Sequence, residues 1–513
     1  MNTKTSKSFF HSSNWLLAVL VGALGMQPAW TQNNNLPSLG NGEGISLGAE
    51  RQLGDRIARE LYRDPDYLED PVLDEYIQRL WTPLVKAAAA RGELSAELQE
   101  RFAWRILLGR DRSVNAFALP GGYLGVHLGL IAVVSSDAEL ASVLAHELSH
   151  VTQRHIARSI DEQSKMTPWV IGSMILGAIA VSKNPQAAQG LIVGGQAAAI
   201  QSQLSYSRDM EREADRVGFG VLSDAGYDPQ GFIGMFNKLQ QSAGVNDSGA
   251  YPYLRSHPLT TERIADMQAR LQLSGPIERT PTDMVQAMLA ARAKVMSQNG
   301  VEALKAWTQD SKATSAQATP AQKAGALYAA TLAHLQLREG GAAERALKSL
   351  LPLVAPNPEA YRLVTLLQAE LAIRHERFES ALQTLEAGSS KHFKRPELMA
   401  VAQALIRLPP HPASATTIQQ LRDLVRQSPN DAQAWNTLAS MLNLQGQTLP
   451  SLRAEGEAQM ARMDWSGAVD RFRAAQDWAR NHRLQAGDHI EASIVDTRLR
   501  QAQAQIRAIQ AER

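Results

Sequence analysis

The sequence predicts an α+β half, mainly helical with a small sheet, over residues 45–275, followed by an all-α solenoid of helix pairs over residues 285–513. Three observations predict it. At 513 residues the chain is too long for one ordinary core, at roughly 100–200 residues per domain. Between about Leu47 and Leu273, amphipathic helical stretches alternate with short runs of β-formers. From about Pro281 onward the chain turns Ala-, Leu- and Gln-rich and almost wholly helical.

The elements follow in order. Lys4 and Lys7 precede an apolar stretch, Trp15 to Met26, then Pro28, Ala29 and Trp30. This is the pattern of a cleaved secretory signal peptide, residues 1–31, and it implies export from the cytoplasm. Helices are expected over Glu50 to Tyr62 and Pro71 to Arg91, and a strand over Phe102 to Leu108. Val114 to Leu119, Pro120-Gly121-Gly122 and Tyr123 to His127 read as a hairpin at a sheet edge. Trp169 to Ser182 and Gly190 to Ile200 are too short to span a bilayer, so they read as a buried helical hairpin. A membrane-dipping element is the alternative, which leaves peripheral membrane contact open. Residues 163–207 are a candidate lid. In the second half, Ala346 and Ala381 are each followed four residues later by Leu, at Leu350 and Leu385. Their spacing is close to the period of tetratricopeptide repeats, whose stacked pairs form a concave surface for peptides or partner proteins.

Charge excludes some partners. Lys plus Arg number 52 against 51 Asp plus Glu, so no overall field draws nucleic acid, and none is expected as a partner. There is no Cys, which removes disulfides, thiol nucleophiles and Cys-ligated zinc. Any metal must sit on His, Asp or Glu.

The chemistry is concentrated between residues 146 and 215. His146-Glu147-Leu148-Ser149-His150 is an HExxH sequence. With 12 His in the chain, random placement would give it at most about 0.03 times, so the motif carries information. Ser136 with Glu139 reads as a capping box, and Leu140, Val143, Leu144, Leu148 and Val151 continue at helical spacing. Residues i and i+4 share a face, so both imidazoles can reach one zinc, with Glu147 beside them to take a proton from water. His155 and Arg158 follow on the same helix and read as packing or surface groups.

Catalytic zinc generally takes three protein ligands, so a third must be found. Glu211 completes a His146, His150, Glu211 set, and Asp215 one turn on is placed to hydrogen-bond a ligating imidazole or a water. Glu213 points elsewhere on that helix. Ala214 and Gly218 would permit close helix packing. The competing reading of this segment is a solvated helix face of mixed charge. With one Zn2+ per chain, the first half is expected to fold as a zincin-like metallopeptidase domain.

HExxH followed by Glu-x-x-Ala-Asp, Glu211 to Asp215, resembles the gluzincin-type peptidases related to the CAAX-prenyl protease and the bacterial heat-shock membrane protease. Asn115 to Gly122, and Ser256-His257-Pro258 with Arg263, are similar to that family as well. A signal peptide, no spanning helix and a tetratricopeptide tail narrow the resemblance to a periplasmic branch engaged in outer-membrane protein assembly. The resemblance implies His146, His150 and Glu211 as zinc ligands, Glu147 as catalytic base and Asp215 as a catalytic or supporting acid, assigned in such families as a proton donor. It implies that the hairpin around Phe117 pairs with extended substrate. His257 would be a fourth ligand or latch, against the plain reading of a structural His before Pro. The implied partners are unfolded or stalled outer-membrane proteins and the outer-membrane assembly machinery.

The expected function is a periplasmic zinc-dependent endopeptidase that degrades such proteins and assists their assembly. A chaperone or docking scaffold with a largely latent zinc site is the alternative, and a zinc hydrolase of non-peptide substrates is a third.

Overall fold

The computed structural model describes residues 45–162, 206–243, 251–273, 283–309, 315–388 and 393–511. The expected signal peptide, the apolar stretch from Trp169 to Ile200 and nearly all of the candidate lid lie outside them. No described helix is long and apolar enough to cross a membrane.

The first half runs α1 (Leu47–Arg63), β1 (Tyr67–Leu68), α2 (Pro71–Ala90), α3 (Ala96–Arg101), β2 (Arg105–Gly109), β3 (Ala116–Leu119), β4 (Tyr123–His127), α4 (Leu128–Val133), α5 (Asp137–Thr152) and α6 (His155–Glu162). It continues with α7 (Arg208–Asp224), α8 (Gln230–Ala243), α9 (Tyr253–Ser256) and α10 (Thr261–Leu273). The sheet order is β1-β2-β4-β3, with β2 and β4 parallel and the outer pairs antiparallel. β3 is therefore an edge strand, as the hairpin reading expects. Gly121 makes the turn at φ 71, and a Cβ there would lie 2.8 Å from Arg51 Cα, so only glycine lets α1 lie against it. The expected strand from Phe102 begins later, at Arg105, because Phe102 ends α3 and Trp104 takes a left-handed φ of 51.

The second half is all helical: α11 (Met284–Ser297), α12 (Val301–Thr308), α13 (Pro320–Gln336), α14 (Gly340–Val354), α15 (Pro358–Arg374) and α16 (Phe378–Gly388). It ends with α17 (Arg395–Leu405), α18 (Ala413–Gln427), α19 (Ala432–Leu444), α20 (Thr448–Ala461), α21 (Trp465–Asn481) and α22 (Ala486–Ala511). Leu350, Ala381 and Leu385 are buried between these helices, as a repeat requires. Side-chain caps start several of them. Asn357 accepts from the Ala360 N–H at 3.0 Å ahead of Pro358, and Asp431 from the Ala434 N–H at 2.9 Å.

One hydrophobic core runs through both halves, from Leu73 and Leu144 to Leu367 and Leu438. Ion pairs at the start of α2 reinforce the junction. Asp70 caps α2 by accepting from the Leu73 N–H at 2.9 Å, and Arg292 of α11 grips the same carboxylate at 2.6 Å. Burial would raise the Asp70 pKa, but the Arg292 guanidinium holds it below the usual carboxylate value. Arg362 reaches Glu75 at 2.8 Å, Arg395 reaches Asp74 at 3.3 Å and Arg462 reaches Glu69 at 2.5 Å. The acidic stretch from Glu69 to Glu75 is thus held by arginines from four places along the helical half.

Replacing Arg292 by Ala strands the Asp70 carboxylate and should cost about 3–5 kcal/mol of stability. Lys305→Ala, which breaks the exposed pair with Glu302, should leave the midpoint of guanidinium unfolding almost unmoved. Equal midpoints for the two variants would contradict this account of the junction.

Candidate active site

Helix α5 is built to start where it does. The Ser136 hydroxyl accepts from the Glu139 N–H at 3.2 Å, and Asp137 and Glu139 put negative charge on the first turn. The reciprocal half of the expected capping box is absent. The Glu139 carboxylate instead accepts from the Ser135 N–H at 2.6 Å and pairs with the Lys238 ammonium at 2.9 Å. Further along α5, His146 and His150 stand one turn apart on a buried face, their Nε2 atoms 3.0 Å from each other.

Helix α7 brings the carboxylates. Its Ser207 cap accepts from the Met210 N–H at 3.2 Å, and Glu211 lies in the first turn. A Cβ on Gly218 would come within 3.1 Å of the Ala145 and His146 backbone, so the absence of a side chain there lets α7 sit directly on α5. Glu211 Oε1 then lies 3.4 Å from His150 Nε2, and Oε2 lies 3.5 Å from His146 Nε2. His257, just past α9, completes the group, its Nδ1 2.9 Å from Glu211 Oε1 and 3.3 Å from His146 Nε2. One ligand atom from each of His146, His150, Glu211 and His257 lies within 4.8 Å of the others, and all four residues are buried.

These residues fit a metal ion. Three imidazoles turn ring nitrogens toward one carboxylate in the protein interior. Glu211 Oε2 lies 2.7 Å from Arg263 Nη1 and Glu147 Oε1 3.4 Å from His257 Nε2, buried ion-pair contacts that lack hydrogen-bond geometry. A divalent cation satisfies such a set, and nitrogen and oxygen donors without sulfur are what a chain lacking Cys can offer.

The surroundings sort the charges. Arg263 forks onto Asp215 with contacts of 2.6 and 2.8 Å, and Asp215 Oδ1 lies 2.9 Å from His146 Nδ1. Arg263 and His146 hold Asp215 below the usual carboxylate pKa despite its burial. Asp215 is thus anchored between Arg263 and the outer nitrogen of His146. Glu211 is likewise held well below the carboxylate range, against its burial, by His257, His146 and His150. Burial pushes His150 well below an ordinary imidazole. Burial acts on His146 in the same direction, but Asp215 and Glu211 outweigh it and raise His146 to about 9. Glu147 stands beside the group, its Oε2 accepting from the edge-strand Ala118 N–H at 2.8 Å and its Oε1 3.4 Å from His257 Nε2.

Three features escaped the sequence reading. Tyr206 stacks on His150 at 3.8 Å between ring centroids, and Tyr253 stacks on His257 at 4.5 Å. His155 is not on the helix of the motif. That helix stops at Thr152, and Arg154 takes φ 53, fixed by its contacts to Glu50 at 3.0 Å and to the Ile45 carbonyl at 2.6 Å. α6 therefore starts afresh at His155, whose buried ring turns back to His150, with the two Nδ1 atoms 2.8 Å apart. Glu213, although directed away from the ligand group, meets His155 Nε2 at 3.0 Å and Arg158 at 2.8 Å.

Comparison with known proteins agrees with this geometry. Residues 73–271 match Peptidase family M48. The beta-barrel assembly-enhancing protease of Escherichia coli strain K12 is 30% identical over 464 residues, which cover 88% of this chain and 90% of the relative. The beta-barrel assembly-enhancing protease of Yersinia pestis is 30% identical over 431 residues, 82% of this chain and 83% of the relative. The mitochondrial metalloendopeptidase OMA1 of Arabidopsis thaliana is 33% identical over 196 residues, 38% of this chain and 36% of the relative. Fold and site thus define a metal-dependent peptidase. The chain belongs to Peptidase family M48 and, within it, to the beta-barrel assembly-enhancing proteases.

The His146 pKa yields a titration prediction. A proton held up to about pH 9 must leave before Nε2 can bind a cation, so apparent metal affinity should fall about tenfold per pH unit below 9. Calorimetry at pH 7.5 in buffers of different ionisation enthalpy should show about one proton released per metal bound. Affinity that is flat from about pH 7 to 9 would contradict the protonated resting His146.

Proposed function

We propose that this chain is a zinc-dependent endopeptidase of the periplasm that degrades misfolded or stalled outer-membrane proteins and assists the assembly of sound ones. The observation that carries the chemistry is the buried group of His146, His150 and Glu211 with the Glu147 carboxylate beside it, held by the Ala118 N–H. Zinc is favoured over other divalent ions because two or three imidazoles and one carboxylate are its usual catalytic surroundings. The printed names of the relatives supply the outer-membrane side of the proposal, and the sequence pattern of a signal peptide supplies the compartment.

Zinc, when bound by His146, His150 and Glu211, would supply Lewis acidity at the scissile carbonyl and make water acidic near neutral pH. The protein's own groups do the rest. Glu147 accepts the water proton at Oε1 and passes it to the leaving amine, while the Ala118 N–H holds Oε2 and so fixes which oxygen reacts. Asp215, clamped by Arg263, orients His146. β3 lies at the sheet edge and reaches Glu147 through Ala118, so an extended polypeptide pairing with it would run past the proton acceptor. The helical half offers a surface on which client proteins or the assembly machinery dock.

One observation favours the scaffold reading as well. His257 sits inside the ligand group, where it takes the place a substrate carbonyl needs, so the resting form is latent and His257 is the latch. A docking factor that opens only on engagement satisfies both readings.

Cleavage of an unfolded protein such as casein by the zinc-loaded chain separates them. Glu147→Gln should keep zinc and lose at least about 10²-fold in rate, Glu211→Ala should lose zinc, and His257→Ala should cut faster than wild type. Wild-type protein without zinc would end the peptidase reading, and unchanged cleavage by His257→Ala would remove the latch.

A further inference from the structure

We infer that His155 and Glu213 form a hydrogen-bond relay that fixes the tautomer of His150 and so prepares its Nε2 for the metal. The inference rests on the reading of His150 as a ligand and adds two positioning residues to it. The contacts are His150 Nδ1 to His155 Nδ1 at 2.8 Å and His155 Nε2 to Glu213 Oε2 at 3.0 Å, with the Arg158 guanidinium on the same oxygen at 2.8 Å.

One proton lies between the two Nδ1 atoms, and the question is which ring carries it. If His155 carried it, His155 Nε2 would be bare and would face the Glu213 carboxylate, setting two acceptors against each other. At the other end, His150 would then carry its proton on Nε2 and point it into the ligand group. If His150 carries the proton on Nδ1, the clash with Glu213 vanishes and the bare His150 Nε2 is left for a cation to answer. His150 Nδ1–H donates to His155, His155 Nε2–H donates to Glu213, and His150 Nε2 turns its lone pair to the position enclosed by His146, Glu211 and His257, which a metal would occupy. The carboxylate at the outer end therefore selects the metal-ready form of a ring it never touches. Tyr206, stacked on the His150 face, holds the ring plane in which this bond can form.

The arrangement mirrors the other ligand. His146 Nδ1 meets Asp215 directly, and Asp215 is anchored by Arg263; His150 Nδ1 meets Glu213 through His155, and Glu213 is anchored by Arg158. Three acids of α7, Glu211, Glu213 and Asp215, thus divide the work: the first faces the metal position and the other two each set one imidazole.

The test is zinc affinity of the folded full-length chain by competition with a chromophoric chelator, with circular dichroism to confirm the fold. His155→Leu removes the acceptor and should weaken zinc binding by about 10–100-fold. His155→Asn places a side-chain oxygen near the Nδ1 position and should stay within about threefold of wild type, a rescue that a purely space-filling role would not produce. Glu213→Gln retains an acceptor and should also stay within about threefold, while Glu213→Ala should lose more than about threefold. Folded His155→Leu binding zinc like wild type, or His155→Asn as weak as His155→Leu, would overturn the relay. Should His155→Leu fail to fold, wild-type affinity in Glu213→Ala, a change on a partly exposed side chain, overturns it equally. Wild-type protein that binds no zinc would instead overturn the metal reading beneath it.

Discussion

A carboxylate and three imidazoles are held within a few ångströms of one another in the protein interior. Burying an ionised Glu211 without compensation would cost several kcal/mol or force it to take up a proton. The protein resolves this by setting the Arg263 guanidinium 2.7 Å from Glu211 Oε2, by surrounding the carboxylate with ring nitrogens, and by giving His146 and His150 a carboxylate or imidazole partner on their outer nitrogens. That solution needs two helix backbones in contact, which is why Gly218 of α7 lies on Ala145 and His146 of α5. It also needs caps that start both helices in register, supplied by Ser136 and Ser207. The group that could hold a cation is thus assembled where α7 packs on α5.

The same economy joins the halves. Asp70 starts α2 and receives Arg292, and its neighbours Glu69, Asp74 and Glu75 receive arginines from successive parts of the helical half. α2 in turn packs against α5, so the helical surface and the ligand helix are parts of one core rather than beads on a linker. The helical half is therefore held at a fixed place relative to the helix that carries Glu147.

Much of this was legible in the sequence where the signal is local. HExxH places two imidazoles by helical spacing alone, Glu211 and Asp215 follow from a second helix with the same spacing, and Pro120-Gly121-Gly122 marks the hairpin turn. Family resemblance drew attention to His257 and Arg263, whose spacing to the motif is too long for any local rule. What escaped depends on contacts distant in sequence. The helix of the motif looked continuous through Arg158, because nothing nearby announces that Glu50 and the Ile45 carbonyl hold Arg154 in a left-handed turn. That one break moves His155 from the helix surface to His150. Glu139 looked like half of a capping box until Lys238, on another helix, drew its carboxylate to Ser135. The Glu69 to Glu75 junction was invisible for the same reason, since its arginines lie hundreds of residues away. The ordering of acids on α7 could have been read only with both imidazole partners already in place.

The most direct measurement is X-ray absorption at the zinc edge on wild-type protein loaded with one equivalent of zinc. The account predicts a four-coordinate site of nitrogen and oxygen donors at about 2.0–2.1 Å, with the multiple-scattering signature of three imidazoles in the resting protein. One of those imidazoles should be missing in His257→Ala. A six-coordinate, water-rich spectrum without imidazole scattering, the mark of an ion held loosely at the surface, would contradict it.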